Sequence, residues 1–147
     1  MRSINVERSM PVSRSAVWAV LADFPNIAQW NTGVTKSFST SEEIEGPGAT
    51  RHCDLAPTGT LEETVVGWEP NDKLVVRIDS TTRLPIQTGE VTFSLSGEGD
   101  QTTTGVDYVY HTKWGMLGRL MGPMLDNQLR RGFNGFLADL EKAALSG

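Results

Sequence analysis

The feature that most restricts how this chain can fold is an apolar stripe through its last residues, from Gly115 to Leu145. Leu117, Met121, Leu125, Leu129, Phe133, Phe136, Leu140 and Ala144 recur at steps of three and four, the period of one helix face. On a wheel of ~100° per residue, Asn127, Arg130, Arg131, Asn134, Glu141 and Lys142 fall on the opposite side. At ~1.5 Å per residue such a helix spans roughly 40 Å or more. No upstream segment reads as a helical partner of similar length, so the stripe must lie against a sheet.

Two residues interrupt the pattern. Pro123 lacks an amide hydrogen and disfavours helical angles at Gly122. The segment is therefore either kinked there, or a short helical turn followed by a helix with Pro123 near its start. Gly132 projects onto the apolar face, where it costs about 1 kcal/mol relative to alanine. Either a strand approaches closely at Gly132, or space is left open.

Upstream, Ile4 and Val6, with Arg8 less clearly, share one face of a first strand ending near Met10. Ser13 reads as a helix N-cap, with Val12 and Val17 placed for a hydrophobic staple. Asp23-Phe24-Pro25-Asn26 ends that helix and opens a second short one, which stops near Trp30-Asn31. From Gly33 onward, runs of β-formers alternate with turn clusters, the mark of an antiparallel meander. The strands expected are roughly 34–41, 48–55, 60–68, 73–79, 86–96 and 103–113. Glu69-Pro70-Asn71-Asp72 reads as a type I turn. Alternation gives an inner set of Leu74, Val76 and Ile78; Val91, Phe93 and Leu95; and Val106, Tyr108 and Tyr110. The strand at 60–68 is ambiguous, because Leu61/Val65 and Val66/Trp68 are of opposite phase.

The order is one strand, two short helices, six strands and one long helix, read as a single domain over 1–147. The run Pro11-Val12-Ser13-Arg14-Ser15-Ala16-Val17-Trp18, then Leu21-Ala22-Asp23-Phe24-Pro25 and Trp30-Asn31, resembles the opening of the START-like (SRPBCC) superfamily. More narrowly, it resembles the group of polyketide cyclases/dehydrases and lipid transport proteins. Val66-Gly67-Trp68-Glu69-Pro70, Leu74-Val75-Val76 and the long final helix follow in that family's order. The resemblance implies an α+β helix-grip fold. In it a curved seven-stranded antiparallel sheet surrounds the C-terminal helix and an apolar cavity. It also implies a small hydrophobic or amphipathic ligand: a lipid, an isoprenoid or a polyketide-like aromatic. The superfamily also includes aromatase/cyclases and protein-binding modules, and no catalytic signature here separates these.

The candidate ligand contacts are Trp30, Arg51, Cys53, Phe93, Tyr108, Tyr110, Leu125, Leu129, Gly132, Phe133 and Phe136. Arg51 shares its strand phase with Ala49, Cys53 and Leu55. Its guanidinium can enter the cavity and orient a ligand carboxylate, phenolate or enolate. The reading preferred over this is an arginine paired with Glu62 or Glu63 on the neighbouring strand. Tyr108 and Tyr110 share the phase of Val106, and a free phenol there would serve hydrogen bonding or proton transfer. Cys53 reads as a small buried apolar residue. His52, Asp54 and the distant His111 lack the close spacing of a metal site, so no metal is expected. No phosphate-binding glycine motif appears, and no cofactor is expected.

Net charge is −5, with nine basic and fifteen acidic residues over 1–114 and four basic and three acidic over 115–147. That balance argues against nucleic acid as a partner. Cys53 is the only cysteine, which suits a reducing compartment. Residues 1–15 lack a signal-peptide apolar run, and no stretch approaches ~20 apolar residues. The expectation is a cytoplasmic protein without stable membrane insertion; nothing in the sequence fixes an oligomeric state.

Overall fold

A computed structural model describes residues 1–147. The strands are β1 (Arg2–Met10), β2 (Val34–Ser39), β3 (Thr50–Leu55), β4 (Thr60–Glu69), β5 (Lys73–Thr82), β6 (Ile86–Ser96) and β7 (Thr102–Thr112). Helix α1 (Arg14–Ala22) and a 3-10 helix (Phe24–Gln29) lie between β1 and β2, and α2 (Gly115–Leu120) and α3 (Gly122–Ser146) follow β7. The seven strands form one antiparallel sheet in the order β1-β7-β6-β5-β4-β3-β2. Strands β2 to β7 are a meander, and β1 closes it by pairing with β7 from Arg2↔Tyr110 to Met10↔Thr102. This is the helix-grip arrangement.

Local chemistry accounts for the entry into α1. Ser13 has extended backbone angles, and its Oγ accepts from the Ala16 amide at 3.3 Å. The Glu69–Asp72 turn closes through the Asp72 amide on the Glu69 carbonyl at 2.9 Å. Asn71 there has φ of 64°, which a type I turn does not use. With Pro70 at the second position this is the type II pattern, correcting the expected type I.

The inner set of β5, β6 and β7 is buried as the alternation requires. In β4 a bulge between Val65 and Gly67 resolves the ambiguity. Before it, Glu63 and Val65 face inward; after it, Trp68 does, meeting Trp18 of α1 edge-on at 5.1 Å, while Val66 is left exposed. One extra residue flips the phase, so Leu61/Val65 is the reading that holds before the bulge, and of Val66/Trp68 only Trp68 turns inward after it.

The C-terminal segment is split at Met121–Gly122, with Pro123 in the first turn of α3. The split removes Leu117 from the stripe: it is 57 % exposed, because the axis of α2 is not that of α3. Trp114, Met116, Leu120 and Met124 are exposed around it. Leu137, which the stripe omitted, is fully buried with Leu140 and Ala144. Helix α3 lies closest to β1 and α1. Leu137, Leu140 and Ala144 belong to the same packed core as Ile4, Val17 and Leu21. Asp126 and Glu141 tie α3 to β1 through Arg2 and Arg8, and Asp139 accepts from the Thr32 amide and hydroxyl at 2.9 Å. The helix leans on one side of the sheet and stands away from the other.

Gly89 of β6, like Gly67 of β4, sits where a close approach leaves no room for a side chain. A Cβ at Gly89 would lie 2.8 Å from Cε1 and 2.9 Å from Oη of buried Tyr108. Gly89→Ala is therefore expected to overpack the core and lower stability by about 1–3 kcal/mol in urea unfolding.

Candidate functional site

Where α3 stands away from the sheet, a cavity of about 290 Å³ remains. Its size is at the small end of ligand pockets, roughly 300–1,000 Å³. Arg51, Cys53, Phe93, Tyr108, Leu129, Gly132, Phe133 and Phe136, all expected from the sequence, line it. Leu55, Leu61, Glu63, Ile78, Leu84, Ile86 and Val91 complete the sheet side, with Ile27, Asn31, Gly33 and Val34 from the segment after α1. Gln128 and Gly132 are exposed at the rim on α3. No neighbouring atom lies within 4 Å of where a Gly132 Cβ would stand. Of the two readings of Gly132, open space is the one realised.

Three expected contacts lie elsewhere. Trp30 packs edge-on against Phe136 at 5.0 Å, outside the cavity, with its Nε1 buried and unpartnered. Leu125 is buried against the core. Tyr110 points past the cavity, and its hydroxyl donates to Asp126 at 2.5 Å. The Arg2 guanidinium, paired with Asp126 at 2.7 Å, and the Tyr110 bond hold that carboxyl below the usual range. Burial and Asp126 push the Tyr110 phenol up to about 12. Strand phase placed both tyrosines correctly on the inner face; it carried no information about where α3 would supply a partner.

The polar groups of the cavity centre on Arg51 and Glu63, opposite each other on β3 and β4. Both are buried, and Arg51 Nε donates to Glu63 Oε1 at 2.9 Å. Arg51 also donates to the Phe24 carbonyl at 2.9 Å and lies over the Phe24 ring, 3.8 Å from its centroid. The paired arginine is thus the arrangement present, with Glu63 rather than Glu62. Glu62 instead meets His52 on the outer face, where His52 also bonds Asp54 at 2.7 Å. These contacts raise the His52 pKa, Glu62 contributing most. Glu63 was missing from the expected site, although its alternation with Leu61 and Val65 marks it as inward.

Cys53 Sγ lies 3.5 Å from Glu63 Oε1. Burial, reinforced by the Glu63 charge, pushes its thiol up to about 12, so it remains neutral. Tyr108 stacks on Tyr110 at 5.2 Å and meets Phe133 edge-on at 5.3 Å. Burial, then the Glu63 charge, raises its phenol above the ordinary value. Its hydroxyl remains a proton-bearing group on the cavity wall. No set of three or more His, Cys, Asp or Glu side chains is grouped as a metal site. No helix is long and apolar enough to cross a membrane.

The comparisons with known proteins agree with this fold. No curated protein matches the chain by sequence. A START superfamily protein from Mycobacterium smegmatis superposes with a TM-score of 0.83 at 16% identity, over 98% of this chain and 97% of that one. A protein from Thermus thermophilus gives 0.83 at 15% identity, over 99% and 98%. DynU16, a protein of the dynemicin biosynthetic locus, gives 0.69 at 23% identity, this chain spanning 46% of its length. At these identities the superpositions establish the fold. A family model described as polyketide cyclase / dehydrase and lipid transport matches residues 1–144, and the chain belongs to that family.

Proposed function

We propose that this protein binds one small apolar or amphipathic molecule, such as a lipid, an isoprenoid or a polyketide-like aromatic, between its sheet and α3. The observation that carries the reading is the 290 Å³ cavity, apolar over most of its wall and opening beside a glycine with nothing near it. The family description and the dynemicin-locus relative are in keeping with it. Catalysis by Arg51 with a tyrosine is less supported, since the Arg51 guanidinium is held by Glu63 and the Phe24 carbonyl, and Tyr110 by Asp126, which leaves Tyr108 alone with a free hydroxyl. A protein-interaction role draws on a different observation, the exposed Trp114, Met116, Leu117, Leu120 and Met124. A single buried thiol suits the cytoplasm.

The test is uptake of prodan, a neutral environment-sensitive naphthalene dye, by the wild type and Gly132→Leu. Wild type is expected to bind it with 1:1 stoichiometry. In Gly132→Leu the new side chain enters the opening, so affinity should fall. Thermal stability should hold or rise by up to about 1 kcal/mol from helix propensity. No uptake by folded wild-type protein would overturn the proposal. Unchanged affinity in the variant would move the site away from this cavity.

A further inference from the structure

We propose that the cavity selects a neutral ligand bearing a hydroxyl donor, an alcohol or a phenol, and rejects a carboxylate of the same shape. This rests on the reading that the cavity is the binding site, and adds the chemistry that the site recognises.

Arg51 and Glu63 are the only charged side chains that line the cavity, and they face each other at 2.9 Å. The wall therefore carries no net charge. An entering carboxylate finds the guanidinium already neutralised and a second carboxylate beside it. Like charges in a poorly solvated site repel strongly, and ionised ligands also lose hydration on entry. The arginine alone would have read as an anion site; its partner reverses that.

What the wall offers is acceptor capacity. Glu63 is 6% exposed. Its Oε1 receives Arg51 and Cys53, while no donor of the chain reaches Oε2. That oxygen is a free acceptor on an otherwise apolar wall, and a ligand hydroxyl can take it in place of water. Tyr108, 2% exposed, likewise places a hydroxyl with no partner in the chain on the same wall. It can donate to the ligand oxygen whose proton Glu63 accepts. The rest of the cavity, with Phe93, Phe133 and Phe136, suits a flat apolar body.

The test compares three probes of one shape by calorimetric titration at neutral pH: 2-naphthol, 2-methoxynaphthalene and 2-naphthoate. The first is a neutral donor, the second a neutral molecule without a donor, the third an anion. Wild type is expected to bind 2-naphthol about tenfold or more tighter than either other probe, the increment of a charge-assisted hydrogen bond. Glu63→Gln keeps the shape and leaves the Arg51 charge unbalanced. It should raise 2-naphthoate affinity about tenfold while the preference for naphthol over its methyl ether shrinks. Wild-type binding of 2-naphthoate as tight as 2-naphthol would overturn the inference and leave the cavity reading standing. Binding of all three with equal affinity would do the same. Binding of none would overturn the cavity reading, and the inference with it.

Discussion

Arg51→Met is expected to lower unfolding stability by about 3–5 kcal/mol, read from urea denaturation of the purified variant. The substitution keeps much of the aliphatic stem against Phe24 but leaves Glu63 buried without its counter-charge. The cost comes from that stranded carboxylate more than from the loss of the bond itself. The double variant Arg51→Met/Glu63→Met should recover most of the loss, since a buried pair replaced by apolar groups of similar size is often neutral or better. A double variant no more stable than Arg51→Met alone would mean that the two residues act independently. The single variant would then be reporting lost packing on Phe24 and the lost bond to its carbonyl.

Leu137→Ala should lower stability by about 2–5 kcal/mol, because the side chain is fully buried where α3 packs against β1 and α1. Leu129→Ala, two turns earlier on the same helix, should cost clearly less. Leu129 is only partly buried and borders a space that is already open. The pair thus separates the side of α3 that holds the fold from the side that faces the cavity. Equal losses in parallel unfolding titrations would mean that the helix is packed evenly along its length, against the arrangement described above.

How much of this was legible in the chain follows from the range over which each residue acts. Alternation along β5, β6 and β7 assigned the inner face correctly, because side chains on neighbouring positions of a strand must point opposite ways. Ser13 announced its helix because a cap bonds an amide three residues away. Pro123 announced a break, and the family's run of core and cap residues announced the helix-grip fold. All of these are local effects, or patterns summed from local effects.

The site depended on pairings that sequence spacing does not contain. Arg51 and Glu63 meet because β3 and β4 pair in one register, and a different register would have offered Glu62. Val66 leaves the core because a bulge inserts one residue in β4, and no propensity in Val65-Val66-Gly67 says on which side of it the phase changes. Tyr108 and Tyr110 were equivalent by phase until Asp126 of α3 came to rest beside one of them. The helix stripe reads as one face, yet packing divides it: Leu125, Leu140 and Ala144 hold the core together with Leu137, which lies outside the stripe, while Leu129, Gly132 and Phe136 border the cavity. The sequence by itself determined which residues of β5, β6 and β7 turn inward. The tertiary structure alone decided which of them meet a partner and which are left facing open space, because that depends on where separate elements stop against one another.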